Sequence, residues 1–304
     1  MATGFFTHNL CECPSAVDIT PECPNRIERI DTLMCASALS KRVVYKEAEA
    51  ASLEDVLLTH SAEYVNKLKN YAAENKPISE ETTITEELLN AAFKSAGAAI
   101  AATQDVVRGE LKNAFVCVRP PGHHAGRSFG GGYCLLNSVA VAANYALKRL
   151  HLKRVAIVDI DAHRANGTED IVKGDNSLML FDSFQASAFP FASKERPAEN
   201  IINAPLPDGA EGKDFIAILE ADWIPKIQAF KPELILVSFG FDTHFADTQT
   251  LLKFSEFDYS FITRALMRVA AEVASSRLVS IMEGGYDKAA LARSVIAHVG
   301  TLAE

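Results

Sequence analysis

The chain has little positive charge to spare: 30 Lys and Arg stand against 39 Asp and Glu, a formal net charge of -9. No basic patch or stripe interrupts that balance, so a nucleic-acid binder is not expected. Long apolar runs are also missing. No stretch approaches the roughly 20 apolar residues that span a bilayer. The opening MATGFFTHNL has neither a basic start nor a sustained apolar segment, so no secretory leader is expected there. There is no fixed-period repeat and no Ser/Gly-rich linker. G-x-S-x-G occurs once, as GRSFG over 126–130, but it lies neither directly after an apolar run nor at the start of a helical pattern, so a serine hydrolase is not expected. Six cysteines are present, at positions 11, 13, 23, 35, 117 and 134, but without zinc-finger spacing. Cys11 and Cys13 are too close together, and no His or Cys pair follows at the usual distance. They are read as reduced thiols in a cytoplasmic, or in a eukaryote nuclear, protein.

What is present is a core. The 304 residues are 48% hydrophobic and 23% charged, which excludes wholesale disorder. One α/β domain over 1–304 accounts for that length. Four short apolar runs, 114–118, 155–160, 234–239 and 278–282, have the length and the polar or Gly/Pro borders of buried strands. Helical patterns occupy 86–109, 138–150, 214–230 and 257–275. The alternation predicts a central, mainly parallel sheet flanked by helices.

Each of the four strands runs straight into a polar cluster. They are followed by Arg119-Pro120-Pro121-Gly122-His123-His124, by Asp161-Ala162-His163, by Gly240-Phe241-Asp242 and by Glu283-Gly284-Gly285-Tyr286. Ligands bind outside the carboxyl ends of strands in open α/β sheets. Asp161 and His163 are two apart, which in an extended chain places both on one face. With Asp242 they make a carboxylate–imidazole–carboxylate set, a donor set suited to a catalytic zinc with one open position.

RPPGHHA, DIDAHRANGTEDI, SFGFDTH and EGGYD resemble the signatures of the zinc-dependent histone deacetylase and acetylpolyamine amidohydrolase family. PECPNR (21–26), the segment 59–68 and the Gly132-Tyr133-Cys134 turn resemble it too, so the likeness runs from about Phe6 to about Ala292. It is nearest the class II or bacterial branch, because Asn166 stands where class I members carry Asp. The resemblance implies an arginase-like fold and zinc on Asp161, His163 and Asp242. It implies His123 bonded to Asp159, His124 bonded to Asn166 as the general base, and Tyr286 aimed at the substrate carbonyl. It also implies that Tyr133 and Phe189 flank a narrow tunnel, with Gly132 in its wall where a side chain would crowd the substrate, and that Arg26 lines a channel for the leaving acetate. A monovalent cation, K+ or Na+, is implied near Asp159 and Asp182.

Two departures stand out. Arg164 and Ala165 replace the family's second histidine and glycine, and THFADTQTLLKF follows Asp242 in place of an Asp-Pro-Leu-Gly-Gly run. Arg164 cannot ligate a metal, since guanidinium has no acceptor. It is expected on the opposite face of the strand, paired with an acidic group or with backbone carbonyls in a way that leaves Asp161 free to bind zinc, although Asp159 and Asp161 are the acids near it in sequence. The expected activity is hydrolysis of acetyl-lysine in proteins or peptides. Acetylated polyamines are the alternative in the same chemistry, and a catalytically weak acyl-lysine-binding protein is the alternative from another class.

Overall fold

The structure, a computed structural model, describes residues 1–12, 20–190 and 198–304. Cys13 lies outside them. In chain order the elements are β1 (Thr3–Thr7), α1 (Asn25–Ala36), β2 (Val43–Glu47), α2 (Leu53–Val56), α3 (Ala62–Ala73), β3 (Pro77–Ser79), β4 (Thr82–Thr83), α4 (Glu86–Arg108), β5 (Asn113–Val116) and α5 (Ser138–Lys148). There follow β6 (Val155–Asp159), α6 (Asn166–Val172), β7 (Leu178–Gln185), β8 (Ile201–Leu206), α7 (Gly212–Ile218), α8 (Ile224–Phe230), β9 (Leu234–Phe239), α9 (Glu256–Val273), β10 (Leu278–Met282) and α10 (Lys288–Leu302).

Eight strands form one sheet in the order β2-β1-β5-β10-β9-β6-β7-β8. Every pairing in it is parallel. The four strands legible in the sequence are the four contiguous central ones, β5, β10, β9 and β6. Every residue in them is buried, as expected of parallel strands covered by helices on both faces. That is why they read as unbroken apolar runs. The other four were not anticipated, and each has a reason. β2 is an edge strand with exposed side chains. β8 is the opposite edge and carries Pro205, tolerated there because an edge strand can spare a donor. β7 mixes Asp182, Ser183 and Gln185 among its apolar residues, and β1, TGFFT, has only Phe5 and Phe6 as large apolar residues.

The four helical patterns of the sequence fall on α4, α5, α7 with α8, and α9, with one change, whereas α1, α2, α3, α6 and α10 were not anticipated. The pattern over 214–230 is not one continuous α-helix. It is α7, a π-helical turn over Leu219–Trp223, and α8. Pro225 has no N–H to donate, so the α-helical ladder is interrupted in the preceding turn. Helix α4 has a clean start and stop: Thr85 accepts from Leu88 N, and Gly109 takes the left-handed conformation at φ 75°.

Candidate metal and active site

The ends of β5, β6, β9 and β10 bring their four loops together. Asp161, His163 and Asp242 each offer a ligand atom, and these atoms lie within 4.8 Å of one another. His163 Nδ1 is 3.0 Å from Asp161 Oδ1 and 2.9 Å from Asp242 Oδ2. One ring N–H cannot serve both acceptors, and Asp242 Oδ2 is buried without a hydrogen-bond donor. Two buried carboxylates facing a single imidazole nitrogen fit a divalent cation at their centre.

The expected route to this geometry needs correction. β6 ends at Asp159, so Asp161 and His163 do not share a face through strand alternation. They converge in a bend, closed by the His163 N–H donating to Asp161 Oδ1 at 2.9 Å, a side-chain-to-backbone turn that carboxylates favour. The remaining carboxylate oxygens are held by backbone amides. Ala162 N donates to Asp242 Oδ1 at 3.0 Å, and Gly284 N to Asp161 Oδ2 at 2.9 Å. Gly284 has to be glycine for a further reason. A Cβ there would sit 2.5 Å from Asp242 Oδ2 and 2.6 Å from Asp161 Oδ2. Gly240 is equally constrained, its Cβ falling 2.4 Å from Asp161 Cα. Both glycines shape the donor set, a role that sequence reading did not assign.

The two adjacent histidines, with ring centroids 4.1 Å apart, differ through their partners. His123 Nδ1 is 3.3 Å from Asp159 Oδ2, at ion-pair range but without hydrogen-bond geometry. Burial works against its charge, but Asp161 and Asp159 outweigh burial and hold the imidazole well above its ordinary pKa. His124 Nδ1 donates to Asn166 Oδ1 at 2.7 Å, which leaves Nε2 as an acceptor. Burial, then the positive His123 and His163, hold His124 well below its ordinary pKa and therefore neutral. Glu283 organises this pair from behind. Its Oε2 accepts from Gly122 N (2.6 Å) and His123 N (3.2 Å), and its Oε1 from Ser238 Oγ (3.2 Å).

Tyr286 follows the Gly284-Gly285 turn and packs 6.1 Å from the ring of Tyr133. Arg26 lies over the Tyr286 ring at 5.1 Å and donates to two carbonyls of that turn, Gly285 O at 2.7 Å and Glu283 O at 2.6 Å. Behind Arg26, Glu22 accepts from Arg119 at 2.8 and 2.7 Å and from Arg26 at 3.3 Å. Burial pushes the Glu22 carboxyl up, but the two guanidinium groups outweigh it and hold it below the usual range.

Phe189 is 36% exposed and stands edge-on to His124 at 5.0 Å. Beside it a cavity of about 450 Å³ opens between His163, Gln185, Ser187 and the 248–251 segment. Gly132 adopts φ +51°, and a Cβ there would lie 2.4 Å from His124 Cδ2. A side chain at 132 therefore meets the histidine ring directly, before any question of crowding a substrate.

Arg164 pairs with an acid and leaves Asp161 free, as expected, and the acid is neither of the nearby Asp159 and Asp161. It turns back to Glu169 in the first turn of α6, with Nε to Oε1 at 3.0 Å and Nη2 to Oε2 at 2.9 Å, and lies 5.6 Å over the Phe184 ring. Arg164 follows the bend at 161–163 and is not in an extended strand, which allows that reversal. Asp161 is thereby left to the ligand cluster. The pair is mostly buried, with side chains 10% and 15% exposed. Arg164→Ala strands the Glu169 charge, which keeps Asn203 Nδ2 as a donor at 2.8 Å. The expected cost is about 3 kcal/mol, the low end for breaking a buried pair from one side. Denaturant unfolding measures it, and metal content of the same variant is expected to match the parent.

Asp182 pairs with Asp159 across β6 and β7. Its Oδ2 accepts from Ala165 N at 3.1 Å, and its Oδ1 is buried with no hydrogen-bond partner. Burial, then Asp159 and Glu169, push its carboxyl well above the usual range.

Comparison with known proteins gives the family. The Histone deacetylase domain model matches residues 20–302. A probable deacetylase of Archaeoglobus fulgidus is 34% identical over 253 residues, covering 81% of this chain and 70% of that protein. Histone deacetylase 18 of Arabidopsis thaliana is 33% identical over 93% of this chain, which spans only 44% of the plant protein. The crystal structure of the HDA15 HD domain superposes with a TM-score of 0.91 at 25% identity, covering 100% of this chain and 90% of that one. With that match running through the Asp161–His163–Asp242 cluster and the loops around it, the chain belongs to the histone deacetylase family.

Proposed function

We propose that the protein hydrolyses the N-acetyl amide of acetyl-lysine in proteins or peptides, with a zinc ion held by Asp161, His163 and Asp242. The observation that carries this reading is the convergence of those three ligand atoms within 4.8 Å next to a neutral, acceptor-bearing His124. Zinc, when bound, lowers the pKa of a water molecule and polarises a carbonyl. The side chains do the rest. His124 takes a proton from the attacking water at Nε2, because Nδ1–H is committed to Asn166 Oδ1. His123, kept cationic by Asp161 and Asp159, supplies positive charge beside the developing oxyanion and a proton for the leaving amine. The Tyr286 hydroxyl donates a hydrogen bond to the carbonyl oxygen as charge accumulates there.

Tyr133 and Phe189 form the walls between which a linear, lysine-like chain descends, and Arg26 lines the path of the released acetate. The orphaned Asp182 Oδ1, next to Asp159, suits a monovalent cation, K+ or Na+, whose charge would offset two adjacent buried carboxylates. Family membership supports deacetylation as the reaction; an acidic chain of net charge -9 suits cationic substrates.

The test is one assay with two substrates. Purified protein is given acetyl-lysine peptides and acetylated polyamines side by side, before and after chelation. Faster release of acetate from the peptides, lost on chelation and restored by zinc, is the expected result. A preference for acetylated polyamines would move the substrate class to small amines. No hydrolysis of either by the zinc-loaded protein would favour an acyl-lysine-binding protein.

A further inference from the structure

The loop between β9 and α9 reads THFADTQTLLKF after Asp242, and one of its residues is tied to the catalytic turn. Asp247 is buried, 8% exposed. Its Oδ2 accepts from Tyr286 N at 2.6 Å and from Asp287 N at 3.1 Å, and its Oδ1 accepts from Gln249 N at 2.9 Å. Its own N–H donates to His244 O at 2.8 Å. Within the same loop Thr250 Oγ1 donates to Asp242 O at 2.6 Å. The loop is thus fastened at one side to the backbone of a metal-ligand candidate and at the other to the backbone of the tyrosine.

We infer that Asp247 is a positioning residue for Tyr286, clamping the tyrosine's backbone so that its hydroxyl is aimed at the substrate carbonyl. The inference rests on the oxyanion role given to Tyr286 above. The turn 283–287 is gripped from two sides by groups of opposite charge. Arg26 binds its carbonyls, Glu283 O and Gly285 O. Asp247 binds its amides, those of Tyr286 and Asp287. Each contact is charge-assisted, the stronger kind of hydrogen bond. Two glycines make this turn pliable, and Gly285 sits at φ +125°, a conformation that does not fix the next residue by itself. An external clamp on Tyr286 N supplies what the glycines lack. Helix capping does not account for the contact. The start of α10 is already capped by Asp287, whose side chain accepts from Ala290 N at 2.7 Å. The amides that Asp247 holds precede the helix.

A hydroxyl must be placed closely to stabilise an oxyanion, and a misplacement of about 1 Å costs on the order of 10²-fold. Asp247→Ala is therefore expected to lower kcat by about 10- to 100-fold, with KM within a factor of about 3 and metal content equal to the parent. Asp247→Asn keeps one carbonyl oxygen for the two amides and is expected to fall between the parent and Asp247→Ala. The decisive measurement is the double-mutant cycle with Tyr286→Phe. If Asp247 acts through the hydroxyl, Asp247→Ala costs less than about twofold once that hydroxyl is gone. An equal loss in both backgrounds overturns the inference and assigns Asp247 to general stability. A Tyr286→Phe single variant at the parent rate overturns the reading of Tyr286 itself, and this inference with it. Should Asp247→Ala not fold, the same cycle run with Asp247→Asn gives the same decision.

Discussion

Asp242→Ala is expected to empty the site of metal and to reduce turnover by about three powers of ten or more, since a Lewis acid contributes several kcal/mol to such a barrier. Asp161→Ala should do the same. The parent should carry about one tightly bound divalent ion per chain, as a three-donor site with an open position does. Elemental analysis beside acetate release checks both halves. Asp242→Ala also strands the Ala162 N–H, whose acceptor is Asp242 Oδ1 at 3.0 Å. Asp242→Asn separates that loss from the metal effect, because an amide oxygen still accepts the bond but ligates weakly. Full activity in metal-free protein would remove the proposed chemistry. The site also sets a pH dependence. Burial, then the Asp161 charge, push the Asp242 carboxyl of the cation-free protein up to about 7. The metal binds the carboxylate form, so protons compete with it. His163, pushed up against burial to about 10 by Asp161 and Asp242 in the cation-free protein, must also lose its proton to ligate. Metal affinity is therefore expected to fall as pH drops below about 10 and more steeply below about 7, with proton release on loading at neutral pH. Competition titrations at several pH values measure this directly; affinity independent of pH from 5 to 8 would contradict it.

The second large effect separates base from oxyanion donor. His124→Ala is expected to lower kcat by about 10²–10⁴ and Tyr286→Phe by about 10²–10³, with KM and metal content little changed in both. The reason is that each acts mainly as charge moves in the transition state, so ground-state binding is spared. The two should differ under Asn166→Ala. That change removes the acceptor of the His124 Nδ1 proton, 2.7 Å away, and frees the ring to take the wrong tautomer. It should slow the parent and leave the already slow His124→Ala unaltered. Steady-state kinetics on acetyl-lysine peptides decides the matter. A Tyr286→Phe enzyme at the parent rate would end the assignment of that hydroxyl.

Much of the site was legible because its parts are local. Four apolar runs, each short and each followed at once by His, Asp or Tyr, identify strand ends and the chemistry on them. Burial on both faces makes such strands continuous apolar strings, so they announce themselves. The relation of Asp161 to His163 is also local, although it arises from a bend closed by the His163 amide and not from strand alternation. Arg164 shows where local reasoning stops. Its need for an acidic partner follows from its charge, but the choice of Glu169 over Asp159 and Asp161 depends on how the chain reverses into α6.

Local patterning suffices for the fold class, the central strands and the residue types that can hold a cation and move a proton. Tertiary structure decided which amides those carboxylates hold and which ring a missing side chain makes room for. Glu283 reaches Gly122 across 161 residues of chain, and Gly284 reaches Asp161 across 123. Gly132 is small because His124 lies where its Cβ would be, and Asp247 matters through the backbone of Tyr286. Backbone amides are the same at every position, so a contact made to one leaves no mark in the partner's residue type. Only the fold, by bringing distant loops to one end of the sheet, selects which amide each carboxylate meets.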